Sequence, residues 1–367
     1  MSEEVFRKIS VNINANTLRR YFGLIKSVTR PSFTTLDILS RFCSFSSFDE
    51  FVNRKTTVFK IGDVDYYSDS ILNYLISLFK NTPVKQNDRG FISIVSFTIQ
   101  LLQRHPELID KFQREISKTK NGQEFYFEKF IQIDALNFSY GDGLRYYLME
   151  KKTIEAQIFG HSLLCVKSWL VEDDAGVKKH HNEIYKCPIP KNMHPSIVAH
   201  FYVVQLLFAT INRTSTEKIL AKILQAHVAI KVKAVDYQSF PFFEYIISPV
   251  LLLIGQPADA VYYINHAFSD YSRNSTGIKA TFFHTMDIIK TVAMLKMGKK
   301  KEAKNLYKAI RSENYNLLTK NADMLLYLFL GKSLNADNNT PGDQKEIKAL
   351  IAKTGFTRLV TYLEILN

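Results

Sequence analysis

LLLIGQPADAVYYINHAF, residues 251–268, and AMLKMGKKKEAKNLYKAI, residues 293–310, follow one scheme. An apolar helix ends at a glycine, Gly255 or Gly298. A turn of three or four residues follows, and then an alanine, Ala260 or Ala303, stands where the next helix begins to cross the first. An aromatic side chain, Tyr263 or Tyr307, comes one turn later. Glycine supplies the left-handed residue that closes a helix, and a small residue at a crossing lets two helix axes approach closely. Each segment therefore reads as a helical hairpin.

Working outward, the same texture fills residues 91–367. Apolar helical patterns of roughly 12–20 residues alternate with short breaks. These fall at Pro106, Asn121–Gly122, Pro195, Thr214, Pro241, Gln256–Pro257, Thr276–Gly277, Gly298 and Pro341–Gly342. Paired helices with short breaks are the layout of stacked hairpins. Residues 57–90 form a connecting segment. KIGDVDYY (60–67) reads there as a short extended piece, SDSILNYLISLF (68–79) as a helix, and NTPVKQNDRG (81–90) as a break.

Residues 1–56 have a different grain, with short helical patterns punctuated by capping residues. Ser2 caps a first pattern with Val5, Phe6 and Ile9 apolar. Asn14 or Asn16 caps a second that carries Leu18, Tyr21 and Phe22. Pro31, Ser32 and Thr35 open a third with Leu36, Leu39 and Phe42 inward. Ser46 and Ser47 start a fourth with Phe48 and Phe51 inward.

Composition bounds the function classes. The chain has 367 residues, 46% of them hydrophobic, with 27 Phe and 19 Tyr, which is apolar surface enough for a sizeable core. The three cysteines, Cys43, Cys165 and Cys187, include no CxxC pair, and this fits a reducing compartment rather than a disulfide framework. The start, MSEEVFRK, has acids and no apolar stretch, so a secretory signal is not expected. The longest apolar run, Ile197–Ile211, is broken by His200 and Gln205 and is shorter than the roughly 20 residues of a membrane span. A cytoplasmic protein with no membrane partner is the expectation. The net charge of +13 favours polyanionic partners, and residues 1–60 alone carry a net +5.

Two resemblances follow from these patterns. The hairpin scheme resembles the tetratricopeptide family and its looser relatives. The interval of 43 residues between Gly255 and Gly298 exceeds that family's usual length of about 34, and the family's Trp and terminal Pro are missing. At the N-terminus, EEVFRKIS, INANTLRRYFG, TRPSFTTLDILSRFCSF and SSFDEFV occur in order. The series resembles the last four helices of the Cro/phage-repressor type helix-turn-helix domain, without a counterpart of that family's first helix and with a recognition helix one residue shorter.

The second resemblance implies that Asn14–Gly23 lies in or beside the major groove of duplex DNA. Leu18 and Phe22 would anchor this helix inward. Asn14, Asn16, Arg19 and Arg20 would face the DNA, the residue types that pair bidentately with adenine and guanine. Thr17, Lys26 and Arg30 would meet phosphates, which position a protein without reading sequence. A structural or protein-binding use of the same segment remains the alternative, since a pair such as Arg19-Arg20 is often a solvated face.

Other residues suggest chemistry less strongly. KKHHNEIYKCPIPKNMH gathers His180, His181, Cys187 and His194, but the intervals do not match a compact zinc pattern. Gly141-Asp142-Gly143 reads as a turn, and no GxxxxGK[ST] phosphate loop occurs. Glu172, Asp173 and Asp174 read as a solvated turn, and His161 and His200 as core or groove histidines. Tyr245 and Tyr262 either belong to the core or line a partner groove. No catalytic residue, metal or cofactor is implied.

The expected architecture is therefore all-α. It comprises a small helix-turn-helix-like module over residues 1–56, a connecting segment, and an α-solenoid of tetratricopeptide-like hairpins over residues 91–367. The expected function is that of a DNA-binding transcriptional regulator whose repeats hold a protein or peptide partner or a second copy as a homodimer. The alternative is a helical-repeat adaptor without DNA binding.

Overall fold

Acids at its start and bases at its end suit the first helix, α1 (Ser2–Ile9). Glu3 and Glu4 face the positive end of the helix dipole, and Arg7 and Lys8 the negative end. Ser10, at φ 55°, ends it, and the second helix, α2 (Ala15–Tyr21), follows. Ser32 caps α3 (Phe33–Phe42), its hydroxyl accepting from Thr35 N at 3.3 Å. Val5, Ile13 and Leu18 form a small buried cluster, on which Ile9, Ile38, Leu39 and Phe42 pack. Lys8 lies 5.1 Å from the centre of the Phe42 ring and adds a tie between α1 and α3.

The computed structural model describes residues 2–21, 25, 31–48, 50, 64–85, 88–187, 193–233, 240–270, 278–310, 315–334 and 341–364. Among these residues every regular element is helical, and the chain is all-α. It divides into two compact units, residues 1–71 and 72–367. Helix α4 (Val64–Asn81) covers the divide and corrects one expectation: Val64–Tyr67 are helical, not extended. Leu72, Leu75, Ile76 and Phe79 on this helix join the core of the larger unit.

The larger unit opens with an aromatic interior. Helix α5 (Arg89–Arg104) is capped by Asp88, and α6 (Ile109–Ile116) follows a short 3₁₀ turn. Asn121–Gly122, expected as a break, instead leads into a π-helix over Gly122–Lys129, which buries Phe125, Tyr126 and Phe127. Phe79, Phe91, Phe112, Phe125 and Tyr126 meet edge-to-face at centroid distances of 5.1–6.4 Å. Each such pair adds about 0.5–1.5 kcal/mol beyond burial. The polar ends are satisfied: Gln113 donates to the Tyr126 hydroxyl at 3.0 Å, and Tyr140 donates to Phe127 O at 2.7 Å.

A 3₁₀ turn (Ile133–Ala135) leads to α7 (Ser139–Glu150). Gly141 and Gly143 stand inside this helix and not in a turn. A Cβ on Gly141 would lie 2.2 Å from Leu136 O, and one on Gly143 2.5 Å from the Gln113 side chain. The motif serves close packing, against backbone at Gly141 and against the buried Gln113 side chain at Gly143.

The rest of the unit consists of consecutive helices. They are α8 (Ile154–Leu170), α9 (Asp174–Tyr185), α10 (Pro195–Ile211), α11 (Glu217–Lys233), α12 (Phe242–Leu253), α13 (Pro257–Asp270), α14 (Ile278–Lys296), α15 (Lys300–Ala309), α16 (Lys320–Leu334), α17 (Pro341–Thr354) and α18 (Thr357–Glu364). Each of α8, α10, α12 and α14 packs on its successor in the chain and on the helix two places later.

Four of these hairpins close with one turn. Gly255 and Gly298, at φ 82° and 76°, donate to Leu252 O and Leu295 O, while Gln256 and Lys299 donate back to Leu251 O and Met294 O. This paired pattern is the Schellman closure, which satisfies carbonyls left open at a helix end. The same two bonds recur at Glu172 (φ 62°) and Arg213 (φ 54°): Glu172 and Asp173 donate to Trp169 O and Ser168 O, Arg213 and Thr214 to Thr210 O and Ala209 O. The left-handed residues 172, 213, 255 and 298 are thus spaced 41, 42 and 43 residues apart. Ala260 and Ala303 are fully buried where the helices cross, and Val177 takes the same place after Glu172.

Buried polar groups join distant parts of this unit. The Asp134 carboxylate accepts from Asn321 N and Ala322 N at 2.7 and 3.0 Å, capping α16 from a segment far away in sequence. Inside α16, Asp323 accepts from the Thr285 and Thr319 hydroxyls, both at 2.8 Å. Burial pushes the two carboxyls up, Asp134 to about 6 and Asp323 to about 7. His227 and Glu244, both almost wholly buried, pair at 2.7 Å between α11 and α12.

Two outcomes are expected. Gly298→Ala meets nothing within 4 Å of its new Cβ, so its cost is the left-handed backbone alone. Urea unfolding should show a loss of about 1 kcal/mol; an unchanged midpoint would refute the assigned turn. An acid whose folded pKa is raised binds its proton more tightly when folded, so stability is highest below the unfolded value of about 3.9 and declines as pH rises through the folded value. Buried histidines held below their ordinary value, His180 and His200 among them, act in the opposite sense over the same range. The deciding quantity is therefore the difference between variant and wild type. The melting temperature of Asp323→Asn should rise relative to wild type between about pH 4 and about pH 7 and remain above it at about pH 8.

Candidate nucleic-acid interface

The candidate site is the exposed side of α2. Its N-terminus is built by Asn14, whose side-chain oxygen accepts from Asn16 N at 2.8 Å and whose carbonyl accepts from Thr17 N and Leu18 N. Both possible caps were legible as Asn; the structure assigns the role to Asn14. Its Oδ1 is engaged in holding the helix start, so in this geometry only its amide group is open to an outside partner.

Leu18 is the residue of α2 that enters the small core. At about 100° per residue, Asn16, Arg19 and Arg20 fall within one arc of about 100° on the side opposite Leu18. All three are exposed, and Thr17, about 60° outside the arc, is half-buried. Arg19 Nη1 reaches Asn16 Oδ1 at 3.4 Å, a long contact between two exposed groups. Such a contact organises the pair while leaving most of the guanidinium donors free for an acceptor. Lys26 and Arg30, with Phe22 and Gly23, lie outside the described residues.

The partner-groove candidates have different surroundings. Tyr245 on α12 is half-buried among Phe240 and Phe282, with ring centroids at 5.5 and 5.1 Å, and burial raises its phenol. Tyr262 on α13 is 41% exposed and packs edge-on against His266 and Tyr263 at 4.5 and 5.1 Å. The first has core neighbours; the second presents part of its ring to solvent.

The histidines and acids singled out in the sequence serve separate roles. His161 and His180 meet through Nδ1 atoms 3.0 Å apart, and burial lowers both, His180 to about 4. His181 stacks on Phe208 at 3.6 Å, and His194 caps α10 through Ser196 N. Cys187 lies against Glu183 O. His200 is buried against the Ser162 hydroxyl at 3.0 Å, and burial pushes it down to about 3. Asp173 caps α9 through Gly176 N, and Asp174 pairs with Arg358 at 2.8 Å. Among the described residues no group of three or more His, Cys, Asp and Glu is placed to hold a metal ion. A shallow depression bordering α1 is lined by Ser2, Glu3, Phe6, Arg7 and Asn12. No described helix is long and apolar enough to cross a membrane.

No protein-family model matches the chain, and no curated protein or solved structure matches it.

The cap makes a direct prediction. Asn14→Ala removes the acceptor for Asn16 N and should cost α2 about 1 kcal/mol. Hydrogen exchange should accelerate across Ala15–Tyr21 while the helices of residues 72–367 keep their protection. Unaltered exchange in α2 would show that Asn14 does not hold the helix.

Proposed function

We propose that the chain is a DNA-binding protein acting as a transcriptional regulator. Its N-terminal unit grips duplex DNA through α2, a helix-turn-helix-like reader. Its larger unit is an α-solenoid of tetratricopeptide-like hairpins that holds a protein or peptide partner or a second copy of the chain. The proposed setting is cytoplasmic, and the reading calls for no cofactor and no catalytic residue.

One observation carries the DNA reading. A capped helix is anchored by Leu18 and turns Asn16, Arg19 and Arg20 outward together. Arginine and asparagine are the side chains whose paired donors and acceptors match the edges of guanine and adenine. The basic excess of the chain supports attraction to phosphate. For the repeat body, support comes from the four equal turns and from helices that contact both the next helix and the one after it. Repeats joined in this way present extended surfaces for partners.

A specific observation favours the adaptor reading. Phe6 and Phe33 of the N-terminal unit are 48% and 60% exposed, the kind of apolar surface that a protein partner covers. Binding of duplex DNA at low and moderate salt separates the two readings. A regulator binds, and its affinity falls steeply with salt; an adaptor shows no binding at low salt. Once a preferred duplex has been selected from a random pool, Arg19→Ala with Arg20→Ala should weaken its binding at least about tenfold, from the loss of base pairing contacts. Melting temperature should be unchanged, since both side chains are exposed. Undiminished preference for the selected duplex would remove α2 as the reader.

A further inference from the structure

The linear run Lys299-Lys300-Lys301-Glu302-Ala303-Lys304 on α15 becomes one-sided when wound into a helix. Lys300, Lys304 and Lys308 follow one another at intervals of four residues, and Lys301 lies beside them. At about 100° per residue these four occupy an arc of about 100°. Leu306, half-buried, lies opposite this arc, and Ala303, buried, about 60° outside its Lys300 edge, with Tyr307, half-buried, next to that edge. The acid of the segment, Glu302, falls outside the basic arc, about 100° beyond Lys301. Lys299, Lys300, Lys301, Lys304 and Lys308 are all exposed, and none forms an ion pair among the described residues.

The fold does not require these lysines. The sister hairpin closes with the same hydrogen bonds at Gly255 and starts its second helix with Gln256, Pro257, Ala258 and Asp259. Position by position, Lys299, Lys300 and Lys301 replace Gln256, Pro257 and Ala258, and Lys304 and Lys308 replace Val261 and Asn265. Lys299 also stands at the cap without a side-chain hydrogen bond, at the end of the helix where the dipole disfavours cations. Local stability would select against this arrangement, which leaves the charge itself as the feature to be explained.

We infer that this lysine stripe of α15 is a second contact for duplex DNA, directed at the phosphate backbone. The inference rests on the DNA reading proposed above and adds a non-reading surface in the repeat unit. Lysine is a compact charge on a flexible stem, suited to phosphate and lacking the rigid fork that reads a base edge or clamps a carboxylate. Successive stripe lysines rise by about 6 Å along the helix, so they offer a row of charges to the closely spaced row that a nucleic-acid strand presents. The stripe contains no arginine and no aromatic ring, so it holds without selecting sequence.

The test uses the full chain and a mixed-sequence duplex, with affinity measured over a series of salt concentrations. The compared proteins are wild type, Lys300→Ala/Lys301→Ala/Lys304→Ala/Lys308→Ala, the same four positions changed to Gln, and Arg19→Ala/Arg20→Ala. Alanine and glutamine both favour helix, so circular dichroism should be unaltered. Each lost phosphate contact should flatten the log–log salt dependence by about 0.9, and the quadruple variants should flatten it by about 3 to 4. If only Arg19→Ala/Arg20→Ala changes the slope, the stripe is not a contact and the DNA reading of α2 stands. If only the stripe variants change it, the inference holds and α2 is not the gripping helix. Wild-type binding to polyglutamate with the same lysine dependence, and to no duplex at any salt, would overturn the inference together with the reading on which it rests.

Discussion

The larger unit depends on one backbone event, a helix closed by a single left-handed residue and two backward hydrogen bonds. The closure leaves the chain only a few residues before the next helix starts, so that helix must fold back along the one just ended. At three of the four turns the crossing position of the returning helix is buried against its predecessor, filled by Val177, Ala260 or Ala303, while Lys218, its counterpart after Arg213, is exposed. Apolar stripes on both helices are completed only by the next hairpin, which explains why α8, α10, α12 and α14 each contact the helix two places on. The spacing of 41–43 residues is thus a property of the left-handed turns.

Within that frame, buried polar groups fix relations that apolar packing leaves loose. Apolar burial is non-directional, whereas a carboxylate that caps a specific pair of amides is satisfied in one register only. Asp134 on Asn321 and Ala322, and Asp323 on Thr285 and Thr319, hold α16 in one register against segments before it. His227 with Glu244 does the same between α11 and α12. These placements carry a desolvation cost, and their return is a single arrangement of helices on which any partner surface must be built.

What could be read from the residues beforehand depended on whether a physical role had its own residue type. The turns at Gly255 and Gly298 were legible because glycine marks the left-handed position. The equal turns at Glu172 and Arg213 were hidden, because side chains there give no sign of an unusual backbone. Gly141 and Gly143 misled for the converse reason, since a glycine that admits a close neighbour inside a helix looks in sequence like one that turns. KIGDVDYY mixes β-branched and aromatic residues with a glycine and reads as extended, yet its second half is helical in α4. In the candidate site, an Asn cap was legible from residue type, but not which of Asn14 and Asn16 serves, and the inward place of Leu18 was implied by the helix-turn-helix resemblance. The one-sidedness of the α15 lysines was present in their four-residue intervals, but only their joint exposure beside the buried Ala303 and half-buried Leu306 distinguishes a stripe from a scattered charge run.

The four matched turns differ in one respect: two hold glycine in the left-handed conformation and two hold residues with a β-carbon. The latter conformation costs on the order of 1–2 kcal/mol for an ordinary L-residue. Glu172 and Arg213 therefore store local free energy that Gly255 and Gly298 do not. The hairpins they close, α8–α9 and α10–α11, release this energy whenever their turn opens. Resistance to local fraying is consequently uneven along these hairpins even though the hydrogen bonding of their turns is the same, and the softer joints lie at residues 172 and 213.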